Sequence, residues 1–501
     1  MLRGPTPEKV AHLRRDSGGG EPHAGRAGHV QIAAILRRCK ALGVEGCEDQ
    51  GTTRGLDSPG GRAARTIIRR LREAGHVALL AGGCVRDRLL GVEPGDWDIA
   101  TSAAPEEVQR LFARTVPVGA RFGVVLVLAG GAEVEVATFR TDGPYLDGRR
   151  PTTVGPSDAR GDAARRDFTI NGMFLDPESG EIIDYVGGQR DLAARVIRAI
   201  GDPAERFGED RLRLLRAVRF AARFEAEIEP RTLAAIRVAA AHVTEVAWER
   251  IGEEIVRILL QGRAPRAFEL LSSTGLLAAV LPEIATMRDV AQSPRWHPEG
   301  DVFAHTLRCL AGLDGARHDE ALALGVLLHD AGKPETASVG DDGRVHFYGH
   351  EVIGETLTRS VCRRLRRSLA TEDRAAWLVR HHLRHRSAPE MKRSTLRRML
   401  AAPDIHALLE LARIDALAGS GDLSTVDFCQ SELAALGEEG RRLEPLLRGR
   451  DLLALGYRPG PRLGRILERV LDEQLEGRLA SRTEARAWVL AALPPDSGES
   501  A

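Results

Sequence analysis

The spacing of apolar residues changes along the chain and predicts two kinds of architecture. Up to about residue 140, short apolar runs alternate with helical stretches, whereas from about residue 190 the pattern is almost entirely helical. The first part contains predicted helices at 64–75, 84–91 and 104–112, and predicted strands at 77–83, 96–100, 121–130 and 132–140. The fold class is therefore α+β: a small head built on a mixed sheet, followed by all-α regions.

The last two predicted strands of the head flank a Gly-Gly pair, which indicates a hairpin. In the second strand of this hairpin, AEVEVATFR, acidic residues alternate with valines. Because successive strand residues face opposite ways, Glu133 and Glu135 are predicted to share the polar face.

Segments rich in Gly, Pro and small polar residues mark the expected boundaries. Residues 1–62 contain SGGG and SPGGR, which we interpret as breaks in an otherwise disordered extension with one short helix at 31–42. The stretch 141–162 is predicted to be a mobile loop, and 494–501 a disordered tail. The predicted domains are an extension (1–62), a catalytic head (63–200), a helical neck (201–290), a metal-binding helical domain (291–435) and a helical C-terminal region (436–501).

The charge balance excludes some classes of protein. The 501 residues include 71 Lys and Arg and 71 Asp and Glu, so a globally basic nucleic-acid coat is excluded. No apolar run approaches the length of a membrane span, and no secretory signal follows Met1, so no membrane partner is expected. The six cysteines form no CxxC pair, which favours a reducing, cytoplasmic setting over a disulfide framework.

The first group of chemically suggestive residues lies in the head. Asp96 and Asp98 are two residues apart in a predicted strand and should project from one face. Two close carboxylates repel each other unless a cation lies between them, and Mg²⁺ prefers oxygen ligands of this kind. Gly82 and Gly83 would let the backbone approach a phosphate, and Glu135 offers a third carboxylate. An isolated DxD pair is more often a solvated strand face; the combination favours a magnesium and nucleotide site.

These residues lie within longer motifs that resemble a known family. The segments LLAGGCVRDRLLGVEPGDWDIATSAAPEEV (79–108), VEVATFR (134–140), RRDFTINGM (165–173), DYVGGQRDL (184–192), EDRLRLLRAVRFA (209–221) and ERIGEE (249–254) occur in the order seen in that family. Over about residues 65–290 the chain resembles polymerase-β-type nucleotidyltransferases, specifically the bacterial branch of CCA-adding tRNA nucleotidyltransferases and poly(A) polymerases.

The resemblance implies a set of site residues and a reaction. Two Mg²⁺ ions held by Asp96 and Asp98, with Glu135 as third ligand or proton acceptor, would serve nucleotidyl transfer from CTP or ATP to the 3′ end of tRNA. The implied nucleotide-binding residues are Gly82, Gly83, Arg86, Arg166, Asp167, Asn171, Asp210, Arg213, Arg216 and Arg219. The resemblance also implies that GRRP (148–151) is repositioned between additions of C and A.

Asp210 and Arg213 have the chemistry to select bases. They are three residues apart on a predicted helix and should share a face. An acceptor beside a donor complements the amino group and ring nitrogen of both cytosine and adenine, whereas uracil and guanine present the opposite order. Asp and Arg at this spacing more commonly form an exposed ion pair on the helix surface.

A second group of residues lies in the helical half, where histidines and aspartates follow the order H…HD…H…HH…D. The set comprises His305, His329, Asp330, His350, His381, His382 and Asp415. Each histidine alone is most simply a satisfied core or surface residue, but together they can enclose one or two divalent metals. The segment resembles an HD-type phosphohydrolase domain, which implies a divalent transition metal of unidentified kind.

Residues 362–400 carry 12 Lys and Arg against 3 Asp and Glu and are predicted either to contact RNA phosphates or to form a solvated face.

Several functions share the nucleotidyltransferase motifs: a CCA-adding enzyme, a CC-adding or A-adding specialist, or a poly(A) polymerase. Two further hypotheses are an HD hydrolase with an RNA-binding remnant and a catalytically silent RNA-binding module.

Overall fold

The computed structural model describes residues 55–119, 123–143, 152–293, 300–315, 318–341, 343–441 and 444–495. These residues form two compact units. The head unit comprises the described residues up to Arg140 together with Pro156–Ala194, and the helical unit comprises the described residues of Thr141–Gly155 and those from Arg195 onward. The boundary after Ala194 lies close to the predicted end of the head at residue 200. The extension at 1–54, including the predicted helix at 31–42, lies outside the described residues.

Helices and strands alternate in the chain up to residue 194. From the start of the described chain to residue 194 the elements are α1 (Pro59–Glu73), β1 (Ala78–Ala81), α2 (Gly83–Leu89), β2 (Asp98–Thr101), α3 (Pro105–Leu111), β3 (Thr115–Gly119), β4 (Val124–Ala129), β5 (Ala132–Thr138), β6 (Arg140–Asp142), β7 (Val154–Pro156), α4 (Ala159–Ala164), β8 (Met173–Leu175), β9 (Ile182–Asp184) and α5 (Gly188–Ala194).

Seven of these strands form one mixed sheet in the order β3-β4-β5-β2-β1-β8-β9. The β2–β5 pair is parallel and its neighbours are antiparallel, which confirms the predicted mixed sheet. β4 and β5 form the predicted hairpin, with Ala129 opposite Ala132. In β5 the valines are buried and both glutamates are exposed, as the alternation predicts.

Three local predictions for the head are wrong. The SPGGR segment is not a break: Ser58 caps α1 by accepting a hydrogen bond from the Gly61 N–H, and the helix begins at Pro59. Strand β2 begins at Asp98, so Asp96 precedes the strand. The predicted loop at 141–162 contains β6, β7 and the start of α4, whose cap is Asp158. The segment GRRP at 148–151 lies outside the described residues.

The helical unit confirms the predicted helical second half. Its helices are α6 (Pro203–Glu209), α7 (Leu212–Arg223), α8 (Pro230–Ala239), α9 (Trp248–Leu260), α10 (Ala264–Thr274), α11 (Leu276–Val280), α12 (Pro282–Ala285), α13 (Val302–Ala311), α14 (Glu320–Leu328), α15 (Lys333–Thr336), α16 (His350–Arg364), α17 (Leu369–His381), α18 (Arg393–Leu400), α19 (Ile405–Ala418), α20 (Ser424–Arg441), α21 (Gly449–Ala454), α22 (Pro461–Leu475) and α23 (Arg482–Ala492). Within the part of the chain that the structure describes, every helix is too short or too polar to span a bilayer.

The predicted continuous helix around EDRLR is interrupted. Asp210 ends α6 in an extended conformation (φ −145°, ψ 102°), and α7 begins two residues later. Asp210 and Arg213 therefore do not lie on one helix, and the prediction that they share a helical face is wrong.

Candidate functional site

The candidate site in the head is built on two parallel strands. Asp98 at the start of β2 lies directly opposite Glu135 of β5. Asp98 is partly buried, whereas Asp96 and Glu135 are exposed. Residues that face each other across adjacent strands have side chains about 5 Å apart, so the sheet register brings two predicted acids together.

The electrostatics of this site show crowding of negative charge. Burial, the Glu135 carboxylate and the Asp96 carboxylate together raise the pKa of Asp98 to about 6, against the opposing effects of Arg166 and Arg86. The carboxylate oxygens of Asp96, Asp98 and Glu135 do not all lie within 4.8 Å of one another, so the described structure does not bring the three acids as close as ligands of one ion. Crowded carboxylates of this kind provide oxygen ligands for a hard divalent cation such as Mg²⁺.

The glycine turn after β1 is required by its surroundings. Gly82 has φ 72° and ψ −128°, a conformation that side chains other than glycine rarely adopt. A Cβ at this position would lie 2.7 Å from Arg166 Nη1 and 3.7 Å from Asp98 Oδ2. The turn therefore keeps open a space bordered by an acid and a guanidinium, and at Gly83 the nearest group is Arg86 Nη2, 3.5 Å from a built Cβ.

The residues that resemble the family's ribose motif are assembled beside this turn. Arg86 Nη1 donates to Asn171 Oδ1 at 2.5 Å, and Asn171 Nδ2 donates to Asp167 Oδ1 at 3.0 Å. Arg166 Nη1 donates to the Asn171 carbonyl at 3.3 Å. Residues separated by 85 positions in the chain thus form one network in the head.

Two acids in this network were missed by the sequence analysis. Asp87 is held by the neighbouring Arg86 at 2.7 Å, and the buried Asp162 holds Arg166 at 3.0 Å. The four-residue spacing between Asp162 and Arg166 is a helical ion-pair signal that could have indicated the second contact.

The two predicted base-selecting residues each have another partner. Asp210 is bound by Arg250 through two hydrogen bonds, Nη1 to Oδ1 at 3.1 Å and Nη2 to Oδ2 at 2.8 Å. Arg213 Nη1 donates to Glu209 Oε2 at 2.6 Å and to the Arg206 carbonyl at 3.0 Å. Arg250 lies in the ERIGEE motif and was not identified as a functional residue from the sequence.

Arg219 is buried, and its guanidinium donates to Glu254 at 2.5 Å and to Gln261 at 3.1 Å. Its role in nucleotide binding stays a prediction, although from the pairing with buried Glu254 between α7 and α9 we expect a structural role instead. Arg216 is partly buried and lies 5.2 Å from the Phe220 ring centroid.

The histidine set of the helical unit converges in the core of that unit. Among the described residues, two groups have ligand atoms that all lie within 4.8 Å of one another. The inner group is His305, Cys309, His329 and Asp415, and the outer group is Asp330, His350 and His382. The Asp330 carboxylate adjoins both, at 3.3 Å from His329 Nε2 and 3.6 Å from His350 Nε2.

Backbone carbonyls orient the imidazoles of this cluster. The Nδ1 atoms of His329, His350 and His382 lie 2.7 to 2.9 Å from the carbonyls of Val326, Phe347 and Val379. A proton on Nδ1 leaves Nε2 with a lone pair, and His350 Nε2 lies 3.3 Å from His382 Nε2. This arrangement is typical of metal-binding histidines, whose second nitrogen is held by a carbonyl or a carboxylate.

The charges and buried donor atoms of the cluster fit a divalent metal. Buried His329 Nε2 faces Asp330 Oδ2 at 3.3 Å, and Lys333 Nζ lies 2.7 Å from that oxygen. Although burial would raise the pKa of Asp330, His329 and Lys333 hold it well below its usual value. Burial and His329 lower the pKa of His382 to about 3, so this imidazole is neutral. Neutral imidazoles with ionised carboxylates are the donor set that transition metals prefer.

His381 does not join this cluster. Its ring packs against Trp377 at a centroid distance of 4.9 Å, and it belongs to neither ligand group among the described residues. The sequence predicted both members of the His-His pair as ligands, and among the described residues His382 alone of the two lies in a ligand group. The sequence predictions missed Cys309, whose position four residues after His305 on a helix was an available signal.

A cavity of about 480 Å³ opens onto the outer group. It is lined by Asp330, His350 and His382, by Lys333 and Arg386, and by the stacked rings of His346 and Tyr348. Lys333 lies 2.7 Å from Asp330, and Arg386 lies 3.3 Å from Asp415. The cavity thus combines candidate metal ligands with two cations, a composition suited to a phosphate ester.

The basic stretch 362–400 is extensively paired. Eight of its twelve basic residues form ion pairs, namely Arg363, Arg364, Arg366, Arg367, Arg374, Arg380, Arg386 and Arg398. Most of the positive charge is therefore balanced within the protein, and contact with RNA phosphates stays a prediction.

Comparisons with known proteins identify the same three segments. A model of the poly A polymerase head domain matches residues 78–198, a model of the probable RNA and SrmB-binding site of polymerase A matches residues 226–287, and a model of the HD domain matches residues 302–419. The chain resembles a solved structure of the Bacillus stearothermophilus CCA-adding enzyme in complex with CTP, with a TM-score of 0.66 and 26% identity over 87% of this chain and 98% of that chain.

Curated relatives add a second comparison. The CCA-adding enzyme of Limosilactobacillus fermentum is 47% identical over 198 residues, which cover 39% of this chain and 49% of that protein, so the match spans about half of the relative's length. The A-adding tRNA nucleotidyltransferase of Deinococcus radiodurans is 33% identical over 432 residues, which cover 82% of this chain and 94% of that protein. Because that alignment spans nearly the whole relative, the chain belongs to the family of bacterial tRNA nucleotidyltransferases and poly(A) polymerases.

Proposed function

We propose that this protein adds C and A to the 3′ end of tRNA, transferring nucleotides from CTP and ATP without a nucleic-acid template and releasing pyrophosphate. The observation that carries the proposal is the pairing of Asp98 with Glu135 beside the Gly82 turn. The solved CCA-adding enzyme with CTP and the full-length A-adding relative support it.

The acids of the head would hold Mg²⁺. Asp96 and Asp98 would be its ligands, with Glu135 as a third ligand or proton acceptor. When bound, Mg²⁺ supplies charge neutralisation at the phosphates and activation of the RNA 3′-hydroxyl. Two features support this assignment: the crowding that raises the pKa of Asp98, and the space that a side chain at Gly82 would fill.

The polar network beside the turn would bind the nucleotide. Arg86 and Arg166 are positioned by Asp87 and Asp162, so their guanidinium groups are held near the acids. Asp167 and Asn171, linked at 3.0 Å, provide acceptors and donors suited to ribose hydroxyls.

Base selection would depend on Asp210 and Arg213. In the structure, Arg250 holds the Asp210 carboxylate and Glu209 holds the Arg213 guanidinium. Each partner limits the rotation of a group that has to present one acceptor or one donor to a base. We therefore add Arg250 and Glu209 to the proposal as positioning residues.

The deciding experiment offers CTP and ATP separately to tRNA lacking one, two or three terminal nucleotides. Addition of C, C and A in turn supports the CCA-adding proposal. Incorporation of ATP alone, on tRNA that already ends in CC, would identify an A-adding specialist, the activity named for the full-length D. radiodurans relative. Incorporation of neither nucleotide, with the protein folded and Mg²⁺ present, would contradict both.

A second activity, phosphoester hydrolysis, is favoured by the histidine cluster and its cavity. The inner and outer groups would hold divalent transition metals, which when bound would supply an activated water and polarise the phosphate. Lys333 and Arg386 would bind the phosphate oxygens. Opening of 2′,3′-cyclic-phosphate RNA ends to a phosphomonoester, or release of phosphate from 3′-phosphate ends, by the wild-type protein but not by a His382→Ala variant would support this activity.

We also propose a cytoplasmic location. The cysteines at 84, 309, 362 and 429 are buried thiols, which suits a reducing compartment in which tRNA maturation takes place.

A further inference from the structure

The two ligand groups of the helical unit differ in composition and in access. The inner group contains four residues, one of them a cysteine, whereas the outer group contains three. All three outer residues line the 480 Å³ cavity, while Asp415 is the one inner residue among the lining residues described. His305 and Cys309 are 0% exposed and His329 is 1% exposed, so these three side chains are closed to solvent and Asp415 separates them from the cavity.

Cys309 is placed as a ligand would be. It lies four residues after His305 on α13, so both side chains leave the same face of the helix. Its Sγ atom is 3.4 Å from His305 Nε2, and that nitrogen is 3.0 Å from Asp415 Oδ1. Nitrogen and sulfur ligands of one tetrahedral zinc-like ion are separated by about 3.5 Å, since the metal bonds are roughly 2.0 and 2.3 Å long.

A further atom of the inner group points to a bound ion. His329 Nε2 is buried and faces Asp330 Oδ2 at 3.3 Å, while its Nδ1 lies 2.9 Å from the Val326 carbonyl. With the proton on Nδ1, the nitrogen and the carboxylate oxygen are two facing acceptors, an arrangement that a bound cation stabilises. His329 Nε2 also lies within 4.8 Å of the ligand atoms of His305, Cys309 and Asp415.

We infer that the metal centre is asymmetric: Cys309 completes a closed four-ligand site for a thiophilic divalent ion such as Zn²⁺, and the outer group forms an open three-ligand site. This inference rests on the proposed hydrolase function and specifies its metal chemistry. Four protein ligands are typical of sites that retain their metal, and three leave a position for water or substrate. Thiolate also selects Zn²⁺, Co²⁺ or Fe²⁺ over Mg²⁺ and Mn²⁺.

Charge balance is consistent with this assignment. The Cys309 S–H bond is replaced by a sulfur–metal bond, and the proton leaves to solvent. Thiolate and the Asp415 carboxylate then carry two negative charges, which neutralise one divalent ion in a buried site.

Cobalt substitution tests the assignment directly. Full-length protein, stripped with a chelator and reloaded with Co²⁺, should bind two ions per chain and show the near-ultraviolet charge-transfer band of a cobalt–thiolate bond. Cys309→Ser should lose the band and bind the more tightly held ion at least about tenfold more weakly. Cys362→Ser, which alters another buried cysteine away from the ligand groups, is the matched control and should keep the band.

The outcomes separate this inference from the hydrolase proposal. Two bound cobalt ions without a sulfur band, or a band that persists in Cys309→Ser, would overturn the role of Cys309 and leave the hydrolase proposal standing. Failure of the wild-type protein to bind any Co²⁺ or Zn²⁺ would overturn both. The wild-type spectrum needs no variant, so the test holds even where Cys309→Ser lowers stability.

Discussion

Asp98 and Glu135 lie opposite each other on β2 and β5, the parallel strand pair of the head sheet. Each residue belongs to a different motif, and 37 positions separate them in the chain. Their proximity raises the free energy of the metal-free fold, because burial and the neighbouring carboxylates raise the pKa of Asp98 to about 6. The same proximity provides the oxygen ligands that a divalent cation needs.

The first prediction separates the role of Asp98 in catalysis from its effect on stability. Asp98→Asn should lower nucleotide incorporation at least about 1000-fold, since it removes a metal ligand. In EDTA at pH 7 the same variant should unfold at higher denaturant concentration, with a gain of about 1 to 3 kcal/mol. Glu133→Gln, on the same exposed face of β5, is the control and should keep activity.

This stability difference should depend on pH in a defined direction. A carboxyl whose pKa is raised in the folded state binds its proton more tightly there, so the metal-free wild type should gain stability as the pH falls from 7 through about 6 toward 4. Asp98→Asn has no such proton to bind, so the two proteins should converge in stability near pH 4. A constant difference across this range would contradict the crowding argument.

Gly82 provides a second prediction. Gly82→Ala should abolish nucleotide addition and weaken CTP binding, because a Cβ would lie 2.7 Å from Arg166 Nη1 in a backbone conformation with φ 72°. Gly75→Ala is the matched control: its φ is 90°, yet no atom lies within 4 Å of a built Cβ. Both variants should lose about 1 to 2 kcal/mol of stability from backbone strain. Normal CTP affinity in Gly82→Ala would show that the turn does not border the nucleotide.

Base selection can be tested at Arg213. Arg213→Ala should increase misincorporation from UTP and GTP relative to CTP and ATP by about ten- to hundredfold, because a donor for the ring nitrogen is removed. Arg223→Ala, at the end of the same helix α7, should leave the ratio unchanged. Competition assays with all four nucleotides measure this ratio, and an unaltered ratio in Arg213→Ala would remove the residue from base recognition.

Arg219 should affect stability and not selectivity. Arg219→Ala leaves the buried Glu254 carboxylate without its 2.5 Å partner and should cost about 3 to 5 kcal/mol. Replacing both residues, as in Arg219→Met with Glu254→Leu, should restore most of that loss. Chemical unfolding measures both values. Altered nucleotide selectivity in the double variant would show that Arg219 does contribute to nucleotide binding.

The adjacent histidines of α17 provide a matched pair for the metal centre. His382→Ala removes a ligand of the outer group and should reduce the metal content by one ion per chain. His381→Ala removes a ring that packs on Trp377 and should leave the metal content at the wild-type value. Elemental analysis of both proteins, purified side by side, distinguishes these outcomes. Equal loss in both variants would mean that the cluster does not bind the ion.

Much of the architecture and of the head site was accessible from local patterns. The period of two in AEVEVATFR predicted the exposed side of β5, and the Gly-Gly pair predicted the hairpin. The H…HD…H…HH…D order predicted a cluster of histidines and aspartates, and the helices bring most of these residues together. The predicted ends of helices were less accurate where a capping side chain sets the end. Ser58 caps the start of α1, although its sequence SPGGR predicts a break in secondary structure.

Periodicity and motif order are local properties, and they were enough to predict α+β architecture, the acids of the head and most histidines of the helical unit. Partner choice is not local. Glu254 pairs with Arg219 across 35 positions, Arg250 with Asp210 across 40, and Asp415 with His305 across 110. Packing of separate helices sets these contacts, which is why folding was needed to distinguish His382 from His381 and to bring Cys309 close to His329 and Asp415.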